Sequence, residues 1–232
     1  MASYTFTRTR CDMFACTRTV RLDVPSSARR RGDRALGQGR VDPGKKNARR
    51  RKAWIIFQDE SGFSLLPSVR ATWARRGQTP VLVHHLSNWK RLSMSAALGY
   101  DPRGEGTWLV FQMIPGTYND AALIDFLTQL REHLSGDRAT LIWDGLPAHR
   151  SNVMRAWLRT QRHWLVVERL PAYGHDLNPV EPVWGNLKSR ELANLCPDTI
   201  AEAAVHADVG LERIGTDTEL CHSFLRQCGL AL

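Results

Sequence analysis

Large apolar residues are scarce from residue 1 to about 50, and no period recurs there. The stretch SSARRRGDRALGQGRVDPGKKNARRRK follows neither helical nor strand spacing, which predicts a mobile segment. The first dense apolar run is AWIIFQD at 53–59. It is β-branched and aromatic, and predicts a buried strand closing on Asp59. After Gly62 the pattern breaks into short extended pieces at 71–75, 80–83 and 91–98. Between them, GQTP at 77–80 and GYDPRG at 99–104 carry turn chemistry. A further apolar run at 107–114 is closed by Pro115-Gly116.

From there the period becomes helical. Leu123, Phe126, Leu127, Leu130 and Leu134 recur at 3–4-residue spacing, from a cap at Asn119 or Asp120 to a stop at Ser135-Gly136. Residues 139–143 read as a strand ending on Asp144, and Ser151 caps a helix carrying Val153, Met154, Trp157 and Leu158. A strand is expected at 164–167, then a helix from Asn178-Pro179 to about Leu195, with a helical tail from Thr199. Antiparallel strands come first and βαβα units follow, which predicts an α/β fold with a mixed sheet and helices on its faces. The ribonuclease-H-like fold has this order, as do several other α/β folds.

Composition adds little until charge is mapped. The 232 residues are 43% hydrophobic and 24% charged, an ordinary globular balance that excludes collagen, coiled coil and full-length disorder. No apolar run reaches the roughly 18 residues of a membrane span, and the N-terminus lacks the apolar core of a secretory signal, so a cytoplasmic location is expected. Residues 1–52 hold 15 Lys/Arg against 4 Asp/Glu, whereas residues 53–232 hold 17 against 19. The formal charge of +9 is therefore a basic arm on a near-neutral body. Such an arm suits a polyanion, nucleic acid first, or serves as a solubilising tail. Cys11, Cys16, Cys196, Cys221 and Cys228 form no CxxC pair, which argues against a disulfide framework or a zinc site.

Three carboxylates sit where chemistry is often placed. Asp59 lies in FQDESG, Asp144 in LIWDG, and Glu181 in the first helical turn of LNPVE. Strand ends and a helix start can converge on one crevice at the edge of a mixed sheet. A converging set of carboxylates implies a hard cation, Mg²⁺ or Mn²⁺, and two such ions clamp both oxygens of a phosphodiester displacement. The residues alone also allow plainer roles: turn positions for Asp59 and Asp144, and a capping box with Asn178 for Glu181. Glu60 alternates away from Asp59 and stays outside this set. His149-Arg150 suits contact with a phosphate, or a surface pair at a helix entrance.

In order along the chain, FQDESGFSLLP, TWARRGQTP, LIWDGLPAHRS and LPAYGHDLNPVEPVWGNLK resemble the landmarks of the DDE transposases, in the bacterial insertion-sequence branch related to mariner elements. The resemblance runs from about Lys52 to Leu195, with a plausible continuation through SFLRQCGL. It implies a ribonuclease-H-like catalytic domain over 53–232 behind the arm at 1–52, with Asp59, Asp144 and Glu181 as catalytic and metal-binding residues. Thirty-six residues separate Asp144 from Glu181, close to the short interval of such enzymes. The implied reaction cuts and joins DNA through two Mg²⁺ or Mn²⁺ ions, with no covalent protein–DNA intermediate. The implied partners are transposon ends, target DNA and a second copy of the chain, at the nucleoid when DNA is bound.

The chain departs from the family pattern at three points. His175 stands where proline is frequent, and Gly145 where asparagine is common. Pro182 removes an N–H from the first turn of the Glu181 helix, which predicts a tight or irregular start. Residues 1–52 also lack the helix-turn-helix pattern that full-length relatives use to read transposon ends, so a separate product supplying it is one expectation. Two other readings stay open beside the transposase: a DNA-binding remnant that interferes with a full-length partner, and a ribonuclease-H-like nuclease with another substrate.

Overall fold

A computed structural model describes residues 47–75, 80–83, 91–104, 106–171 and 174–230. The expectations for residues 1–46 and for most of the turn at 77–80 lie outside the described residues. Five strands form one sheet: β1 (Trp54–Ser64), β2 (Arg91–Tyr100), β3 (Thr107–Pro115), β4 (Ala139–Trp143) and β5 (Leu165–Arg169). Their order is β3-β2-β1-β4-β5. The β1–β2 and β2–β3 pairs are antiparallel, and β1–β4 and β4–β5 are parallel. Among the described residues that follow β3, the α-helices are α1 (Asp120–Leu134), α2 (Asn152–Thr160), α3 (Val180–Arg190), α4 (Ile200–Thr216) and α5 (Thr218–Gln227). This is the mixed sheet flanked by helices expected of a ribonuclease-H-like domain.

Strand alternation sorts the core into two layers. Ile55 and Phe57 of β1, Met94, Ala96 and Leu98 of β2, and Ile142 of β4 bury against α3, α4 and α5. Ile56, Ala97, Leu141 and Trp143 face the opposite way, against α1 and α2. Leu123, Phe126, Leu127, Leu130 and Leu134 of α1 are buried in that second layer, on the stripe their spacing predicts. The α1 caps are as expected: Asn119 Oδ1 accepts from the Ala122 N–H, and Ser135 ends the helix in the left-handed region at φ 50°. Ser151 caps α2 through the Met154 N–H at 3.0 Å, although Val153 points to solvent and only Met154 is fully buried.

Three boundaries differ from expectation. Residues 47–51 are already helical and Ala48 is fully buried, so ordered structure starts before residue 53. Strand β1 does not close on Asp59; it runs five residues further, because β2 pairs with it as far as Ser64↔Arg91. Residues 71–75 and 80–83 form no strand, because β2 already occupies the antiparallel edge of β1. Val69, Trp73, Val81 and Val83 of that connection are exposed, Trp73 almost completely at 99%. The helix expected to reach Leu195 ends at Arg190, whereas the helical tail starts at its Thr199 cap as expected, in two pieces, α4 and α5.

Candidate active site

The β1–β4 ladder sets the first two carboxylates. It pairs Trp54 with Ala139 through to Phe57 with Ile142. Continued two residues past its end, the same register brings Asp59 opposite Asp144. Neighbouring strands lie about 4.8 Å apart. Asp59 falls on the α3 face by alternation, in phase with Phe57, whereas Asp144, one residue past the end of β4, is not fixed to either face by the ladder. Asp59 is therefore mid-strand towards β2 but just beyond the ladder towards β4, where Asp144 leaves the sheet.

Glu181 arrives on α3, which three contacts tie down. Trp184 Nε1 donates to Asp59 Oδ2 at 2.8 Å, and Lys188 Nζ donates to Ser61 Oγ at 2.7 Å. Behind the helix, Arg213 of α4 bridges Glu191 Oε1 at 2.7 Å and Asn186 Oδ1 at 2.6 Å. Buried Asn178 prepares the entrance: its Oδ1 accepts from Val180 N–H at 3.2 Å and its Nδ2 donates to the Gln58 carbonyl at 3.3 Å. The first turn is tight, as Pro182 predicts, with Glu181 N–H bonding the Asn178 carbonyl three residues back. Glu181 is exposed, and its side chain makes no hydrogen bond among the described residues, so it does not close a capping box.

Electrostatics record how close these groups are. Burial, then the negative charge of Glu181, push the Asp59 carboxyl up to about 8, with Glu60 and Asp144 adding to the shift and the Trp184 hydrogen bond opposing it. Asp144 behaves differently. Its half-burial raises it, but hydrogen bonds from His149 and the Leu146 N–H, with the charges of His149 and Arg150, hold it below the usual carboxylate range.

His149 is not a phosphate contact. It is 1% exposed and stacks flat on Trp143, ring centroids 4.0 Å apart. Nδ1 lies 2.9 Å from Asp144 Oδ1, and Nε2 lies 3.2 Å from Glu60 Oε1. Burial disfavours the charged ring, but Asp144 and then Glu60 outweigh it and push His149 up to about 9. Glu60 does point away from Asp59, yet through His149 it supports Asp144. Glu60, Trp184 and Lys188 were missed as parts of this site, and His149 was expected at a phosphate rather than on Asp144. The only sequence signals for them are their closeness to Asp144, Asp59 and Glu181 along the chain.

The donor set suits a hard divalent cation. Asp59 Oδ1 and Asp144 Oδ2 accept no hydrogen bond among the described residues, and exposed Glu181 can swing towards them. No group of three His, Cys, Asp or Glu among the described residues is already closed around one point. The reason is visible in the bonding: one oxygen of each aspartate is held back by Trp184 or His149, while Glu181 extends into solvent. A shallow pocket lies on the other side of β1, lined by Glu60, Ser61, Ser93, Tyr118 and Leu146. The open carboxylate face does not contribute to it.

Solved structures with this fold include the Mos1 mariner paired end complex with Mn, at 18% identity and TM-score 0.56, covering 93% of this chain and 64% of that one. The Mos1 transposase paired-end complex with left transposon end matches at 18% and TM-score 0.58, covering 92% and 65%. The Mos1 transposase catalytic domain with Raltegravir and Mg matches at 16% and TM-score 0.50, covering 89% and 94%. This chain thus spans under two thirds of the longer Mos1 chains, and identities this low speak for the fold alone. None of the curated proteins is a significant match. The family model described as DDE superfamily endonuclease matches residues 54–201, from the first residue of β1 into α4. That interval holds all three carboxylates and the whole sheet, and on it the chain belongs to the DDE superfamily endonucleases.

Proposed function

We propose that this chain is the catalytic domain of a transposase that cuts and joins DNA phosphodiesters, with Asp59, Asp144 and Glu181 holding two divalent ions. The observation that carries this reading is that the β1–β4 ladder ends at Phe57↔Ile142, two residues short of both Asp59 and Asp144, while Trp184 ties the Glu181 helix to Asp59. Mg²⁺ or Mn²⁺ bound there would supply Lewis acidity to the attacking and leaving oxygens of an in-line displacement.

The chain's own residues prepare that centre. Trp184 holds Asp59 Oδ2 at 2.8 Å, so its other oxygen is the one offered. His149 and the Leu146 N–H hold Asp144 Oδ1 in the same way, at 2.9 and 3.0 Å. Glu181, exposed at the positive end of the α3 dipole, retains freedom to close on the aspartates. No serine or tyrosine is assigned a nucleophilic role.

By likeness to the Mos1 paired-end complexes, DNA is the substrate and two copies act together. The basic residues ahead of the helical turn at 47–51 serve as an arm against DNA. Work on DNA places the protein in the cytoplasm, at the nucleoid.

The test is Mg²⁺- or Mn²⁺-dependent nicking of supercoiled DNA by the wild type beside Asp144→Ala. Cleavage falls to background in the variant, while salt-sensitive DNA binding persists. Equal cleavage by both proteins overturns the assignment of Asp144. Binding without cleavage by either favours the DNA-binding remnant.

A further inference from the structure

The charge of the body is not evenly spread. Residues 53–232 carry 17 Lys/Arg against 19 Asp/Glu, yet residues 145–167 carry four arginines and no Asp or Glu. Those arginines are Arg150, Arg155, Arg159 and Arg162, and all four are exposed. They occupy the segment that leaves the candidate active site: Asp144, the turn Ala148–Arg150, then α2. Among the described residues, none of the four makes an ion pair or side-chain hydrogen bond. Elsewhere Arg213 is partnered with Glu191 and Arg226 with Glu219.

Their spacing follows the helix. Met154, fully buried, fixes the inward side of α2, with Trp157 and Leu158 half-buried beside it. At 100° per residue, Arg155 and Arg159 share one flank, about 40° apart, and Arg162 lies in the turn that follows the helix. From Arg155 to Arg159 is about 6 Å along the axis. That length spans about two phosphates of one DNA strand. Arg150 begins the row close enough to Asp144 for its charge to help lower that carboxyl.

We infer that the outer flank of α2, through Arg155, Arg159 and Arg162, is a DNA-backbone surface leading away from the carboxylates. It rests on the reading of the chain as a DNA-acting enzyme and adds where the duplex lies. Guanidinium groups with no acidic partner retain their full donor capacity for phosphate oxygens. Their contacts position the duplex without reading its sequence.

The experiment follows binding of a fluorescent 30-base-pair duplex by anisotropy across a salt series, using the full chain. Compared are the wild type, the triple variant Arg155→Gln/Arg159→Gln/Arg162→Gln, and the control Arg103→Gln/Arg226→Gln, which removes two exposed charges elsewhere. Each phosphate contact contributes roughly 0.9 to the slope of log K against log salt, so the triple variant should lose about 2 to 3 from it. Its affinity near 0.1 M salt should fall at least about tenfold, the control keeping the wild-type slope. Thermal melts confirm that all three are folded. A triple-variant slope equal to the wild type overturns the α2 surface while leaving DNA action standing. An equal loss in the control overturns it too, because the effect is then net charge. A wild type that binds DNA without salt dependence removes both readings.

Discussion

Single side chains at the carboxylate face are tuned in opposite directions. Asp59 sits near 8 in the folded chain against an ordinary 3.8, so between those values the folded state binds the proton more tightly than the unfolded state. The metal-free protein therefore loses stability as pH rises from about 4 to about 8. His149, near 9 against 6.5, contributes stability that is fully present below 6.5 and is lost as pH rises through 9. Asp144, held low, contributes in the other sense: its stabilisation is present above the ordinary value and lost as pH falls through the folded one. Replacing Asp59 isolates the first effect. In EDTA, Asp59→Asn should melt on the order of 5 °C above wild type at pH 8, with the two converging near pH 4. A gap of the same size at both pH values would show that burial of the Asp59 charge is not its source. Asp59 and Asp144 were legible as candidates because acidic residues ending apolar runs stand out. His149 was legible only as a phosphate contact, because its partner Glu60 lies 89 residues away in sequence.

At the scale of elements, α3 acts as a lever set against the sheet. Its inner face, Val180, Val183, Trp184 and Leu187, is fully or almost fully buried, and Trp184 also carries the one polar bond into the aspartate. Trp184→Phe keeps an aromatic ring in the layer and removes that bond. It should cost about 1–2 kcal/mol in urea unfolding. The rate of metal-dependent nicking should drop on the order of tenfold, as for other groups that orient a ligand, with DNA affinity unchanged. A variant that loses stability but nicks at the wild-type rate would reduce Trp184 to packing. Helix α1 shows what local chemistry can specify: Asn119 and Ser135 bound it in the structure where the sequence places its caps. β1 shows the opposite, since its length depends on a partner strand that begins 27 residues after β1 ends.

For the whole molecule, ion binding and folding should be linked. A cation held by Asp59, Asp144 and Glu181 offsets the burial and the repulsion that together raise Asp59, so it stabilises the folded state. Mn²⁺ at 100 times its dissociation constant should add about 2.7 kcal/mol to the wild type at pH 8. Thermal melts with and without Mn²⁺ measure it, and Asp59→Asn and Asp144→Ala should lose most of the gain. The same gain in both variants would place the ion elsewhere. No helix among the described residues is long and apolar enough to cross a membrane.

Several features of the molecule were written locally. Apolar periods fix the order of strands and helices, cap residues end α1 and start α2, and ordered motifs single out Asp59, Asp144 and Glu181. Each depends on neighbours within a few residues, so it can be read along the chain. The tertiary structure alone decided the rest. The β1–β4 ladder sets the ends of the two strands side by side, Trp184 turns one Asp59 oxygen aside, and Glu60 becomes a support for His149 rather than a bystander. These contacts join residues 85 to 125 positions apart. Such pairings arise only when two layers pack on one sheet, because hydrophobic burial brings the elements together and alternation then chooses which side chains meet.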